Sequence, residues 1–197
     1  IPKYFAYGQG VGIYTHTIDQ YPQFGTQIVE VHDRDSTYTL NEILANETDL
    51  PLYEHTTDTH GYTDLNFALF DLVGKQFSPR IRDIKDQRLY KITGKHVQEM
   101  DYPSLKFTGT VNIDYLKRFA NDMERVAASL KIGAVTPSTL INKLQAYPRQ
   151  NNLMYVLQSY GQLIKTIFIC KYLLSEALRK RINTQLNKGE QLHGLRV

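Results

Sequence analysis

Apolar positions along the 197-residue chain change period from two to between three and four as the sequence proceeds, and that change predicts its architecture. Val11, Ile13 and Thr15 alternate after a glycine-spaced turn, predicting a strand over about 11–17. Thr26 to His32 alternates again and is β-branched, predicting a second strand with Ile28 or Val29 inward. Asp19, Tyr21, Pro22 and Gly25 lie between them, so the two should pair antiparallel. Ser36 or Thr37 can cap a short helix through Tyr38, Leu40, Ile43 and Leu44 that ends near Asn46. Residues 52–57 read as a further strand. An amphipathic helix follows over 62–73, closed by Gly74.

Gln76–Ile81 and Arg88–Ile92 are short β candidates, and the irregular stretch from Gly94 to Gly109 reads as loop. Helical spacing then dominates. One helix is expected from Ile113 to Ile132, stopped by Gly133. A second begins at Pro137 behind a Thr136 cap and runs to Ala146. Asn151 to about Thr184 reads as one long helix or two abutting ones, with Gly161 the weak point. The order β-β-α-β-α-β through residue 92 implies a mixed sheet with hairpin and crossover connections. The expected organisation is a sheet portion over 1–110 and a helical portion over 111–197.

Composition is ordinarily globular, at 42% hydrophobic and 22% charged. The single cysteine, Cys170, excludes an intrachain disulfide framework and a cysteine-based zinc site, and its apolar surroundings predict burial. No signal-peptide pattern opens the chain, and the richest apolar run, Leu163–Leu174, is too short and too charged to span a bilayer. A soluble, intracellular protein with no membrane association is expected. Net charge is +3, but it divides unevenly. Residues 1–110 carry 10 Lys/Arg against 15 Asp/Glu, and residues 111–197 carry 13 against 5. A basic second half suggests a polyanion partner, although solubilising charge on helices has the same composition.

Three clusters can carry chemistry. Asp58 ends the 52–57 strand ahead of a glycine and a helix, where open α/β sheets place their sites. The ordinary reading is that Asp58 or Thr59 caps that helix. His55, Asp58 and His60 could form a transition-metal set, but odd spacing on a strand sends His55 and Asp58 to opposite faces. Asp33 and Asp35 follow the second strand, where a turn and a helix start explain them better than a Mg²⁺ site does. Near the other end, Arg179, Lys180 and Arg181 suit phosphates, and Glu190 is a carboxylate among cations beside an expected break at Gly189. No phosphate-binding loop, dinucleotide fingerprint or nucleophile elbow occurs.

Six strings occur in order: Tyr14-Thr-His-Thr-Ile-Asp-Gln, Val31-His-Asp-Arg-Asp-Ser-Thr, Glu54-His-Thr-Thr-Asp-Thr-His-Gly-Tyr-Thr-Asp, Pro79-Arg-Ile-Arg-Asp, Tyr147-Pro-Arg-Gln-Asn and Leu186-Asn-Lys-Gly-Glu. Together they resemble the C-terminal catalytic region of transposases of the Tn-three family, over almost the whole chain. The resemblance implies an α/β, ribonuclease-H-like fold and DDE-type DNA cleavage and strand transfer with Mg²⁺ or Mn²⁺. It assigns the second catalytic Asp to Asp58 and the catalytic Glu to Glu190, both as metal ligands. The family's first catalytic Asp has no counterpart here, so the chain is expected to be a fragment lacking one ligand and its strand, and inactive alone. Two metal ions would carry the chemistry without a protein nucleophile. The implied partners are DNA (terminal inverted repeats and target) and a second copy in the full-length protein, in the bacterial cytoplasm at the nucleoid. Arg149, Lys180, Arg181 and Lys188 are the expected phosphate contacts. A non-catalytic DNA-binding or dimerising module is the alternative.

Overall fold

The computed structural model describes residues 11–17, 25–30, 38–45, 51–59, 62–98, 102–146 and 152–194, with side chains omitted at 11–14, 29–30 and 192–194. β1 (Val11–His16) and β2 (Gly25–Glu30) form the expected antiparallel pair, with Ile13 opposite Ile28. Ile28 is 70% exposed, so of the two candidates for the inward position it is not the one that takes it, and the side chain of Val29 lies outside the described set. α1 (Asn41–Leu44) is short and has no side-chain cap, and the Ser36 and Thr37 expected there lie outside the described residues. Asn41 instead reaches across the chain. Its amide donates to Ser138 Oγ at 2.8 Å, and its carbonyl accepts from Ser138 N at 3.0 Å. That pair satisfies an otherwise orphan N–H in the first turn of α5 (Pro137–Ala146), which starts at Pro137 with Thr136 Oγ1 accepting from Thr139 N.

β3 (Glu54–His55) pairs parallel with β4 (Gln76–Phe77). Regular strand is two residues long, yet the parallel bonding runs further: Tyr53, His55 and Thr57 carbonyls accept from Gln76, Ser78 and Arg80 N–H, each at 2.8 Å. The ladder therefore covers most of the 52–57 segment. Between the strands lies α2 (Asp64–Leu72), capped by Thr63 in a reciprocal box with Asn66 and followed by Gly74 at φ +79°. Every residue from Leu65 to Phe70 is buried, which an amphipathic surface helix would not show. The residue pattern makes α2 a central helix. Phe67 and Phe70 meet Phe77 at ring-centroid distances of 5.1 and 4.5 Å.

The 94–109 loop is corrected. β5 (Leu89–Thr93) pairs parallel with β6 (Phe107–Asn112), whose first three residues fall inside the expected loop. Gly109 conceals the strand pattern. A Cβ there would sit 2.6 Å from Cε1 of Tyr90, so the glycine admits a neighbouring ring and does not break the strand. The helix expected over 113–132 is also corrected to two, α3 (Ile113–Arg118) and α4 (Ala120–Lys131). Phe119 N bonds back to Leu116 O in a tighter turn between them. Gly133 at φ +70° ends α4 as expected.

The long helix expected from residue 151 breaks elsewhere than at Gly161. α6 (Asn152–Leu174) passes through Gly161 without interruption, and the break falls at Ser175, before α7 (Glu176–Gly194). Gly161 is a contact point: a Cβ would lie 1.8 Å from the Asp64 carbonyl oxygen, so only glycine lets α6 approach the start of α2 this closely. Lys165 Nζ, one turn on, pairs with Asp64 Oδ1 at 2.6 Å, and Tyr160 donates to the Asp71 carboxylate. At the break, Ser175 Oγ accepts from Leu178 N, and Arg179 Nη1 donates to Tyr172 and Leu173 carbonyls at 2.5 and 2.9 Å. The end of α6 and the start of α7 are thus both satisfied at one joint. Gly189 lies inside α7, so no break occurs there. Cys170 is half-buried, more exposed than expected. One hydrophobic cluster runs from Leu40 and Ile43 through α2, α4, α5 and α6 to Leu178 and Ile182 on α7.

Candidate active site

Asp58 lies just beyond the β3–β4 ladder. Thr57 before it is buried with its carbonyl bonded to Arg80 N, and Thr59 after it donates from Oγ1 to Arg80 O at 3.3 Å. The backbone on both sides of Asp58 is therefore pinned to one residue while its side chain is exposed. The cap that could have explained Asp58 is supplied by Thr63 and Asn66: Thr63 Oγ1 accepts from Asn66 N at 3.3 Å, and Asn66 Oδ1 accepts from Thr63 N at 3.1 Å. Thr63, not Asp58 or Thr59, is therefore the cap of that helix.

His55 has turned inward. Its ring stacks on Phe77 at 3° interplanar angle and 6.2 Å, lies 5.8 Å from Phe70, and is 5.2 Å from the His16 ring at the end of β1. Nε2 of His55 is buried with no hydrogen-bond partner among the described residues. Burial lowers the His55 pKa to about 3, with the neighbouring His16 adding to the effect, and lowers that of His16 to about 4. Both imidazoles are neutral at pH 7. His55 and Asp58 face opposite ways, as strand alternation required, and His60 lies outside the described residues. Asp33 and Asp35 lie outside them too. Among the described residues no group of three or more His, Cys, Asp or Glu converges on a metal-sized space.

Glu190 is exposed on α7. Among the described residues the strands form three separate two-stranded sheets, β1–β2, β3–β4 and β5–β6, in place of the one mixed sheet expected, and α7 reaches two of them. Gly189 faces Thr17, at the end of β1, with an added Cβ 3.9 Å from the Thr17 hydroxyl. Arg181 Nη2 meets Glu54 Oε1 at 3.0 Å. The same Glu54 oxygen accepts from Ser78 Oγ at 2.6 Å and Gln76 Nε2 at 2.9 Å. Glu54 thus joins β3, β4 and α7, a role that its position at the head of one motif does not reveal, because the three donors lie 22, 24 and 127 residues away. Of the expected phosphate contacts, Lys180 pairs with Glu176 at 2.8 Å on the exposed surface, Arg181 is engaged by Glu54, Lys188 is half-buried, and Arg149 lies outside the described residues. A small cavity lined by Thr17, Ile43, Leu52, Glu54, His55 and Lys75 lies beside the imidazole pair. No helix among the described residues is long and apolar enough to cross a membrane.

The family model described as Tn3 transposase DDE domain matches residues 1–197, the whole chain. The chain belongs to the Tn3 transposase DDE domain family. The transposase for transposon Tn501 of Pseudomonas aeruginosa is 44% identical over 193 residues, covering 96% of this chain and 19% of the relative. The transposase for transposon Tn21 of Escherichia coli is 43% identical over 196 residues, covering 98% and 19%. The transposase for transposon gamma-delta of Escherichia coli (strain K12) is 34% identical over 195 residues, again covering 98% and 19%. This DDE domain spans about a fifth of the length of these curated relatives. The family resemblance carried by the six ordered motifs is borne out.

Proposed function

We propose that this DDE domain supplies two of the acidic ligands of a metal-dependent DNA cleavage and strand-transfer centre in a transposase, Asp58 from the end of β3 and Glu190 from α7. The observation that carries this reading is the setting of Asp58 at the end of the ladder: its flanking backbone is pinned to Arg80, its side chain is exposed, and Thr63 caps the helix after it. Exposed carboxylates are the hard oxygen donors that Mg²⁺ or Mn²⁺ takes, so the donor type fits. The described residues do not assemble a three-ligand group, and a third carboxylate from outside this chain is part of the proposal. When bound, the metal ions would activate the attacking oxygen and stabilise the leaving one. The protein's own share is to hold the two carboxylates on separate, mutually tethered elements.

The fold is proposed to be ribonuclease-H-like, with 1–110 and 111–197 as two portions of one catalytic domain, a reading supported by the continuous core from Leu40 to Ile182. Arg149, Lys180 and Lys188 are proposed to contact phosphates of the transposon ends or target, in a homodimeric full-length protein. Arg181, also expected among them, is left out of this group because it pairs with Glu54. In the full-length transposase, Asp58→Ala or Glu190→Gln should each abolish Mg²⁺-dependent cleavage and joining of transposon-end DNA. Retention of strand transfer in both variants would sink the proposal in favour of a DNA-binding or dimerising module. The 197-residue piece alone should cleave no DNA.

A further inference from the structure

We infer that Glu54 and Arg181 form a positioning latch that sets the register of α7 against β3, and with it the placement of Glu190 relative to Asp58. The inference rests on the two-carboxylate reading above. Glu54 precedes Asp58 by four residues on one extended segment, and Arg181 precedes Glu190 by nine on one helix. Tying Glu54 to Arg181 therefore ties together the two elements that carry the acidic residues. The Glu54 end is preorganised: Ser78, fully buried, and Gln76 both donate to the oxygen that meets Arg181, so the carboxylate is aimed before α7 arrives. Beside Arg181, Ile182 is 1% exposed, which seats the helix, while the ion pair selects how it is rotated and slid along that seat. Helical spacing puts Arg181 and Glu190 on opposite flanks of the Ile182 face, so neither competes for the other's side of the helix. Arg181 is thus a positioning residue, and its charge serves an internal carboxylate in preference to a phosphate.

The test is a double-mutant cycle in the full-length transposase with Glu54→Gln and Arg181→Met. The amide keeps an acceptor for Ser78 and Gln76 and loses the charge. Each single variant should lower Mg²⁺-dependent cleavage about tenfold with transposon-end DNA binding unchanged, the double variant should lose no more than either, and Arg181→Lys should recover part of the rate. Hydrogen exchange across residues 176–194 should rise in both single variants, without further rise in the double. Multiplicative losses, full activity in the single variants, or a loss confined to Arg181→Met together with weaker DNA binding would each overturn the latch. Asp58→Ala and Glu190→Gln run in parallel: if they cleave, the two-carboxylate reading has failed, whereas if they are dead and Glu54→Gln is fully active, only the latch has failed.

Discussion

The two elements that carry the candidate acidic residues are held in opposite ways. β3 belongs to a junction closed by shape: α2 is buried along most of its length, three phenylalanine rings interlock, and α6 approaches so closely that Gly161 has no room for a side chain. α7 is held by chemistry. Its described surface is largely polar, Leu178 and Ile182 are its buried apolar residues, and its link to β3 is the Glu54–Arg181 pair. Packed apolar contacts lose stability sharply when altered, while exposed ion pairs contribute little to it and much to geometry. On the two-carboxylate proposal, the strand end would be the fixed part of the site and the helix the adjustable part.

This contrast is best broken at its steric side. Gly161→Val should cost about 3 kcal/mol or more, since the new carbons overlap the Asp64 backbone and neither helix can retreat without opening the core. Urea denaturation measures it, and a cost under about 1 kcal/mol would show that the α2–α6 approach is not tight. Phe70→Ala, at a fully buried side chain, should cost about 3–5 kcal/mol, comparable with or larger than the glycine change. A protein that keeps its unfolding midpoint after this change would remove the rigid half of the comparison.

Acid should act on the same junction. The histidine pair is neutral when folded, and both folded pKa values are depressed below the ordinary histidine value of 6.5. Unfolded chains therefore bind protons first, and stability falls as pH drops from about 6.5 toward the folded values of about 4 and 3. By pH 5 the loss should approach about 2 kcal/mol per histidine. His55→Phe should flatten part of that acid limb, and an unchanged pH profile would contradict the buried neutral pair. A smaller effect is expected at the α2 cap, where Thr63→Ala should cost about 1 kcal/mol. The smallest sharpens the other side: Lys180→Ala, removing an exposed pair with Glu176, should change stability by less than about 0.5 kcal/mol.

What was legible in the sequence is what short-range chemistry controls. Gly74, Gly133 and the Thr136–Pro137 start announce themselves because their demands, positive φ or a capped first turn, are local. Gly109 and Gly161 answer to demands that are not local. Each is glycine because of a group distant in sequence, the Tyr90 ring and the Asp64 carbonyl, and no window around either position contains that information. The joint at Ser175 escaped notice because Arg179 and Ser175 replace the glycine or proline that usually marks a helix end. The family was readable from six ordered motifs, and Asp58 and Glu190 followed only by carry-over from that resemblance. Glu54 stood inside a quoted motif, yet its significance depends on partners up to 127 residues away.

The joint at Ser175 also makes α7 a lever. An unbroken helix from Asn152 to Gly194 would be about 65 Å long, against roughly 40 Å for the width of a domain of this size. With the pivot at Ser175, Glu190 sits fifteen residues out, at the end of an arm of about 22 Å. A swing of only about 10° would carry its carboxylate about 4 Å, which is the separation between two metal ions in a two-metal site. Arg181 grips that arm less than halfway from its pivot. On the two-carboxylate proposal, leverage more than the local surroundings of Glu190 would set how accurately the carboxylate is aimed.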